Sequence, residues 1–313
     1  MIGKENIDEI FQRKLGVVPA KISPITTGKF NSSYFVMADG TGYVIRIAPD
    51  PDGVFIFYER NMMAQEPAIH RLLLEKTDVP VAEIYVYDNS REFISRDYLI
   101  MQRLPGRALS EVRISHGGYD KVMSQVGRYL AQVHRLTAKE YGYLGEHNCM
   151  EPQADWATAF SIMWNKLVDD IVSVGFYDDD EAAMVRSLVD KYREIFQRPV
   201  KSSLLHMDVW AQNILIDGQM NVTGIVDWDR ALWGDAEIEY AVLDYCGISE
   251  PAFWSGYGAE RPQSADARLR NIFYLLYEVQ KYIIIRAGRQ KNPPLAQSYK
   301  DQSLAIMKKH LIH

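Results

Sequence analysis

Cysteine is nearly missing from this chain of 313 residues: only Cys149 and Cys246 occur, at no metal-binding spacing. That excludes a disulfide-stapled scaffold and a thiolate zinc site, and reads as reduced thiols in a cytoplasmic protein. Long apolar runs are missing too. Tyr282 to Ile285, closed by Arg286, is far shorter than a membrane span requires. The first nine residues carry acids where a secretion signal has an apolar stretch. Nor is there an excess of positive charge. Lys and Arg total 35 against 41 Asp and Glu, a formal charge of −6, whereas a general nucleic-acid surface needs a basic patch. A charge of this sign suits a cationic small molecule. No internal repeat or low-complexity segment is visible, and nothing in the chain reports an oligomeric state.

What is present is an ordinary globular composition, 47% hydrophobic and 24% charged, at a length that suits two lobes sharing a cleft. The most informative stretch is His206, Asp208 and Asn213, followed by Asp227, Trp228 and Asp229. Residues 213–216 and 222–226 read as two strands, joined by a turn at Asp217 and Gly218. Such a hairpin brings Asn213 beside Asp227. Two oxygen ligands side by side suit Mg²⁺, a hard cation held by one or two protein groups together with phosphate oxygens. Asp208 falls in the loop entering the hairpin, free to accept a proton from an attacking hydroxyl.

These residues resemble the kinase superfamily, whose catalytic loop places Asn five residues after the catalytic Asp and whose metal Asp follows a strand pair. Met207 replaces the Arg of that loop, and Asp227-Trp228-Asp229 replaces Asp-Phe-Gly. That version resembles the aminoglycoside phosphotransferase and choline kinase branch, which phosphorylates small molecules. The resemblance implies an α+β, two-lobed protein-kinase-like fold. Residues 1–103 would form a small antiparallel N-lobe with one main helix, 101–106 a hinge, and 104–313 a mainly helical C-lobe. It implies ATP, or GTP, as phosphoryl donor, with Mg²⁺ on Asn213 and Asp227 and Asp208 as base. The acceptor would be the hydroxyl of an aminoglycoside-like compound, an amino alcohol or a sugar amine. Asp229 reads either as a second metal ligand or as a substrate contact.

Three strands are expected at 22–25, 33–37 and 42–47, the last alternating Tyr43, Ile45 and Ile47 against Val44 and Arg46. The loop between the first two contains Gly28, Lys29, Asn31 and Ser32, small or polar residues that would let backbone N–H groups approach a triphosphate. By resemblance, Arg46 takes the place of the phosphate-pairing Lys. Glu66 takes that of the acid paired with it, with Glu59 its nearest rival. Met101, Gln102 and Arg103 would meet adenine, between walls drawn from Ile45, Tyr98 and Ile214.

Helices are expected at 124–136, 156–174 and 181–196, the last preceded by an acidic start at 178–181. His134 and Asp235 read as structural, Asp235 as a helix cap. Phe196, Trp210 and Trp233 flank the catalytic segment and are candidate acceptor contacts. Glu237 joins them, with Glu239, Asp244, Glu250 and Glu278 as further acids for an ammonium group. The aromatics beyond Tyr245 either line that pocket or pack two C-terminal helices. The connection after Asp229 is too short for the activation segment of a protein kinase, which argues against a protein substrate. A nucleotide-binding pseudokinase is the other alternative, and the intact set of Asp208, Asn213 and Asp227 argues against it.

Overall fold

A computed structural model describes residues 3–28 and 30–312. It opens with a helix the strand pattern does not announce, α1 (Lys4–Leu15). Its Ile7, Ile10 and Phe11 recur at helical spacing and are buried, and Gly16 ends it in a left-handed conformation. The strands β1 (Pro19–Ile25), β2 (Ser32–Ala38) and β3 (Thr41–Ile47) follow as an antiparallel meander. After a 3₁₀ turn at Met62–Gln65 comes α2 (Glu66–Lys76), with Pro67 in its first turn, where the missing N–H costs nothing. Then β4 (Ile84–Asp88) and β5 (Tyr98–Gln102) complete a five-stranded sheet of order β1-β2-β3-β5-β4.

The two faces of this sheet do different work. Ile45, Ile47, Tyr98 and Ile100 pack on Ile7, Ile10 and Phe11 of α1. Val44, Leu99 and Met101 point the other way, toward Met63 and Ala82. Because side chains alternate along a strand, choosing the wrong parity moves every predicted contact to the wrong face. Ile45 and Tyr98 are therefore not purine walls: they are sealed against α1. Ile214 is likewise buried in a core cluster of the second lobe.

The chain continues through β6 (Arg107–Ala108), α3 (His116–Val133), β7 (Thr137–Ala138), α4 (Trp156–Ser173) and α5 (Asp179–Lys191). Asp178 and Glu181 form a reciprocal capping box at α5, so the acidic run is a helix start. Next come β8 (Ser202–Leu205), β9 (Ile214–Ile216), β10 (Val222–Ile225) and β11 (Leu232–Gly234). These short strands make two small sheets, β10-β9-β6 and β11-β8-β7. The remainder is helical: α6 (Ala236–Tyr245), α7 (Pro251–Tyr257), α8 (Ala265–Ile284) and α9 (Pro293–His310), three helices rather than two beyond α6. Helix α7 lies directly on α3, where a side chain at Gly256 would meet the carbonyl oxygen of Ser124 at 1.9 Å. Helix α8 is buried on most of its circumference, Arg270, Glu278, Gln280 and Lys281 included. Phe273, Tyr274, Leu276 and Tyr277 are buried there, each worth roughly 1.5–3 kcal/mol of transfer free energy. No helix among the described residues is long and apolar enough to cross a membrane.

Candidate active site

The loop after β8 is held in an uncommon backbone conformation. Met207 has φ +66°, in the left-handed region that a residue with a Cβ normally avoids. Its N–H donates to Glu239 Oε1 at 2.6 Å, while Glu239 Oε2 meets His134 Nε2 at 2.6 Å. Burial pushes the Glu239 carboxyl up, but His134, His206 and the Met207 N–H outweigh it and hold the pKa below its ordinary value. Glu239 thus braces the loop from beneath rather than meeting an acceptor. His134 is structural, as expected from its position. Asp208 N–H approaches His206 Nδ1 at 3.2 Å, which assigns the ring proton to Nε2, donating to Val226 O at 3.0 Å.

These constraints aim Asp208 into the cleft. Its carboxylate accepts from Asn213 Nδ2 at 3.0 Å and from Arg230 Nη1 at 3.1 Å. Burial raises its pKa, and Arg230, Lys281 and His206 more than offset that, so it is held below the usual carboxylate value. Ile214 pairs with Ile225 across the hairpin, and Val226 N–H donates to Asn213 O at 3.0 Å. Asn213 and Asp227 therefore stand side by side at its open end. With its amide nitrogen turned to Asp208, Asn213 has its oxygen left for a cation.

Arg46 connects the sheet to this hairpin. It donates to Glu66 Oε2 at 2.6 Å, Asp227 Oδ1 at 2.5 Å and Asp229 Oδ2 at 2.8 Å. Glu66 is fully buried and is the partner, whereas Glu59 caps Ile56 N–H and pairs with Arg289. Burial and neighbouring acids raise the pKa of Asp227 and, further, that of Asp229. The site thus concentrates more negative charge than Arg46 alone neutralises, the condition a divalent cation relieves. Side-chain exposure separates the acids: 29% for Asp208 and 38% for Asp227, against 6% for Asp229. Among the described residues no three His, Cys, Asp or Glu side chains gather to cage a metal unaided. Mg²⁺ does not require such a cage, since it is commonly shared between one or two carboxylates and phosphate oxygens.

The cleft has two compartments. One, of about 350 Å³, is walled by Val44, Ala82, Met101, Leu104 and Leu215, and reaches Gly28, Asn31 and Arg46. Ser33 lines it, not Ser32, which pairs with Ile47 in β2. Lys29 lies outside the described residues. Gln102 and Arg103 line it too, but their N–H groups already donate to Glu83 O and Gly42 O at 2.8 and 3.2 Å. Asn31 Nδ2 also donates to Asp229, at 3.3 Å. The second compartment, of about 440 Å³, holds Asp208, Trp210, Tyr58, Tyr245, Tyr282 and Tyr299. Asn213 and Asp227 line both compartments, whereas Asp208 lines only the second.

Several expected acceptor contacts are elsewhere. Trp233 sits in β11, its backbone paired with Gly142, and packs on the core. Phe196 is buried among Phe160, Phe273 and Tyr274. Glu237 is taken by Arg198 and Arg270 at 2.7 and 2.8 Å. Asp244 pairs with Arg261, Glu278 is buried against Arg230 and Lys281, and Glu250 precedes α7. Asp235 is the cap of α6, as expected. Beside Glu59, Asp208, Asp227 and Asp229, the second compartment presents Arg230, Lys281, Arg286 and Arg289, four cations that the sequence reading did not contain.

A small antiparallel sheet over a helical lobe, with an ionised Asp beside an Asn–Asp pair in the cleft, defines the class: a kinase-like phosphotransferase. Residues 21–270 match the model of the phosphotransferase enzyme family (APH), and the chain belongs to that family. Among its relatives is a protein of Vibrio vulnificus named a probable ketoamine kinase, 27% identical over 67% of this chain and 69% of its own length. A second, from Vibrio parahaemolyticus with the same description, is 24% identical over 84% of this chain and 86% of its own. A crystal structure from Haemophilus somnus, provisionally named a fructosamine-3-kinase, superposes with TM-score 0.68 over 96% of this chain and 97% of that one, at 18% identity. A thermostable mutant of aminoglycoside phosphotransferase APH(4)-Ia, with AMP-PNP and hygromycin B, gives TM-score 0.66 over 96% and 98% at 17% identity.

Proposed function

We propose that the protein is a Mg²⁺-ATP-dependent kinase that phosphorylates a hydroxyl of a ketoamine, a sugar joined to an amine. One observation carries this reading: Asn213 and Asp227 line both compartments while the ionised Asp208 lines only the second. That is the layout needed if nucleotide and acceptor meet from opposite sides. The purine would lie between Val44 and Leu215, its edge against Met101 to Arg103, and the triphosphate would run under Gly28 and Asn31. Residues 101–106 would be the hinge between lobes 1–103 and 104–313. Arg46, held by Glu66, would contact phosphate oxygens. Magnesium on Asn213 and Asp227 would neutralise charge on the transferring group.

Asp208 then accepts the acceptor's hydroxyl proton as its oxygen bonds to the γ-phosphorus and the bond to ADP breaks. Most of the catalytic effect is positioning, which is why the loop conformation at Met207 is braced by a buried acid. Relatives named ketoamine kinases support a sugar-amine acceptor over an antibiotic. The test is ADP release with Mg²⁺-ATP against fructosamines, ribosylamine-derived ketoamines, aminoglycosides and amino alcohols, with Asp208→Asn as control. Release that depends on a ketoamine and vanishes in the variant supports the reading. Release driven only by an aminoglycoside or an amino alcohol replaces the acceptor class, and release unchanged in the variant removes Asp208 from the mechanism.

A further inference from the structure

Of the four cations that line the acceptor compartment, one pairs with no acid among the described residues. Arg230 pairs with Asp208 and Glu278 at 3.1 and 3.4 Å, Lys281 with Glu278 at 2.5 Å, and Arg289 with Glu59. Arg286 differs. Its Nη1 donates to a neutral amide oxygen, that of Gln290, and no carboxylate among the described residues lies within ion-pair distance of it. Its Nε is buried without a hydrogen-bond partner among them. Arg286 is half-exposed and lines the compartment, so it offers N–H donors there that no carboxylate of the chain takes up.

The surroundings hold Arg286 in place. The guanidinium lies 5.6 Å from the ring centre of Tyr282 and 5.7 Å from that of Tyr299, two rings stacked at 5.0 Å. The backbone there leaves α-geometry for a π-turn at Ile285–Arg289, a device that re-aims side chains. Within that turn, a side chain at Gly288 would collide with Val54 at 2.4 Å, so the turn is wedged against the first lobe. Arg289 reaches across to lie 4.6 Å over Phe30 of the nucleotide loop. A fork of N–H donors, fixed before binding, matches the two oxygens of a carboxylate.

We infer that the acceptor carries a carboxylate in addition to its reactive hydroxyl, and that Arg286 holds it beside the stacked Tyr282 and Tyr299. This rests on the kinase reading and narrows it. A ketoamine made from an amino acid keeps that acid's carboxylate, whereas one made from a simple amine has none. The acceptor class is therefore the sugar adducts of amino acids. Such an acceptor keeps the cationic sugar-bound amine and adds an acid for Arg286 to select.

The experiment compares matched probes. Fructosyl adducts of glycine, 4-aminobutyrate and 6-aminohexanoate are each set against the adduct of the corresponding primary amide. In the longer two the amine is insulated from the change. Both kcat/KM and calorimetric binding to the AMP-PNP-loaded protein are measured. The expected result is an advantage of roughly 10–100-fold for the acid in at least one pair, from a charge-assisted hydrogen bond of about 1.5–3 kcal/mol. Arg286→Gln should bring acid and amide within about threefold, and Arg286→Lys should restore part of the difference, which a merely structural residue would not do.

Acids and amides transferred equally well by the unaltered protein would overturn the carboxylate site and leave the kinase intact. Acid-selective binding that depends on Arg286, without phosphoryl transfer, would uphold the site and overturn the kinase reading. Acid selectivity that survives in Arg286→Gln, with thermal melting unchanged, would overturn the assignment to Arg286.

Discussion

The two compartments of the cleft are built in opposite ways. The nucleotide side is walled by short apolar side chains from adjacent strands; Arg103 and Arg107 line it too, and Arg46 is held there against Glu66, Asp227 and Asp229. The acceptor side is walled by tyrosines and four cations drawn from residues 58, 230, 245, 281–289 and 299. The first suits a large planar group and a phosphate chain whose counter-charge includes a metal ion. The second brings its positive charge on its own side chains. On the proposed reading, specificity for the donor would rest on shape and on a shared ion, and specificity for the acceptor on where arginines are placed.

The sharpest way to break this contrast is at the wall the compartments share. Asp208→Ala should lower turnover by about two to four orders of magnitude, with little change in nucleotide affinity, because Asp208 faces only the acceptor side. Steady-state kinetics with nucleotide titration checks this, and a parallel loss of nucleotide binding would merge the two compartments. Glu66→Gln should act on the other side. It removes the buried partner of Arg46 at 2.6 Å and should raise the KM for ATP by about tenfold or more. Thermal melting should fall in the same variant, since a buried pair broken on one side costs about 3–5 kcal/mol. An unchanged KM would show that Arg46 is positioned by Asp227 and Asp229 alone.

Arg230→Met tests charge on the acceptor side more gently. Arg230 helps hold the Asp208 carboxylate ionised below its usual range, so its loss should move the acid limb of the kcat/KM profile to higher pH. The smallest effect lies outside both compartments. Burial lowers the His147 imidazole to about 4 from an ordinary 6.5. The unfolded chain then takes up a proton that the folded chain resists. Stability should be complete above about pH 6.5 and fall as pH drops toward 4, by up to about 3 kcal/mol. Denaturant melts across that range should show the slope, and His147→Gln should flatten it without shifting the activity profile's acid limb.

The reaction side of the site was legible from residues close together in the chain. Asp208, Asn213 and Asp227 span twenty residues, and a hairpin with a turn at Asp217 leaves little choice about which of them meet. The pairing of Arg46 with Glu66 was expected from the family resemblance, and the structure chose Glu66 over Glu59. The expected walls of the cleft were off by one residue: Val44 and Leu215 line it, whereas Ile45 and Ile214 are buried in cores. Both faces of these strands are apolar, and a period of two says which residues share a face but not which face meets the cleft. Helix α1, which covers the other face, had a readable stripe at Ile7, Ile10 and Phe11 that the strand pattern overshadowed.

The acceptor pocket was the least legible region. Proximity in sequence to Asp227 made Trp233 and Glu237 attractive, but β11 and α6 carry them to the far side, where Arg198 and Arg270 close on Glu237. The chemistry of phosphoryl transfer was written in local spacing, because a loop and a hairpin position their own residues through backbone hydrogen bonds. The cations of the second compartment were placed only when α8 ended in a π-turn wedged against the first lobe and set Arg286 and Arg289 along the cleft. Side chains so far apart in the chain meet only through packing, and packing depends on the whole fold.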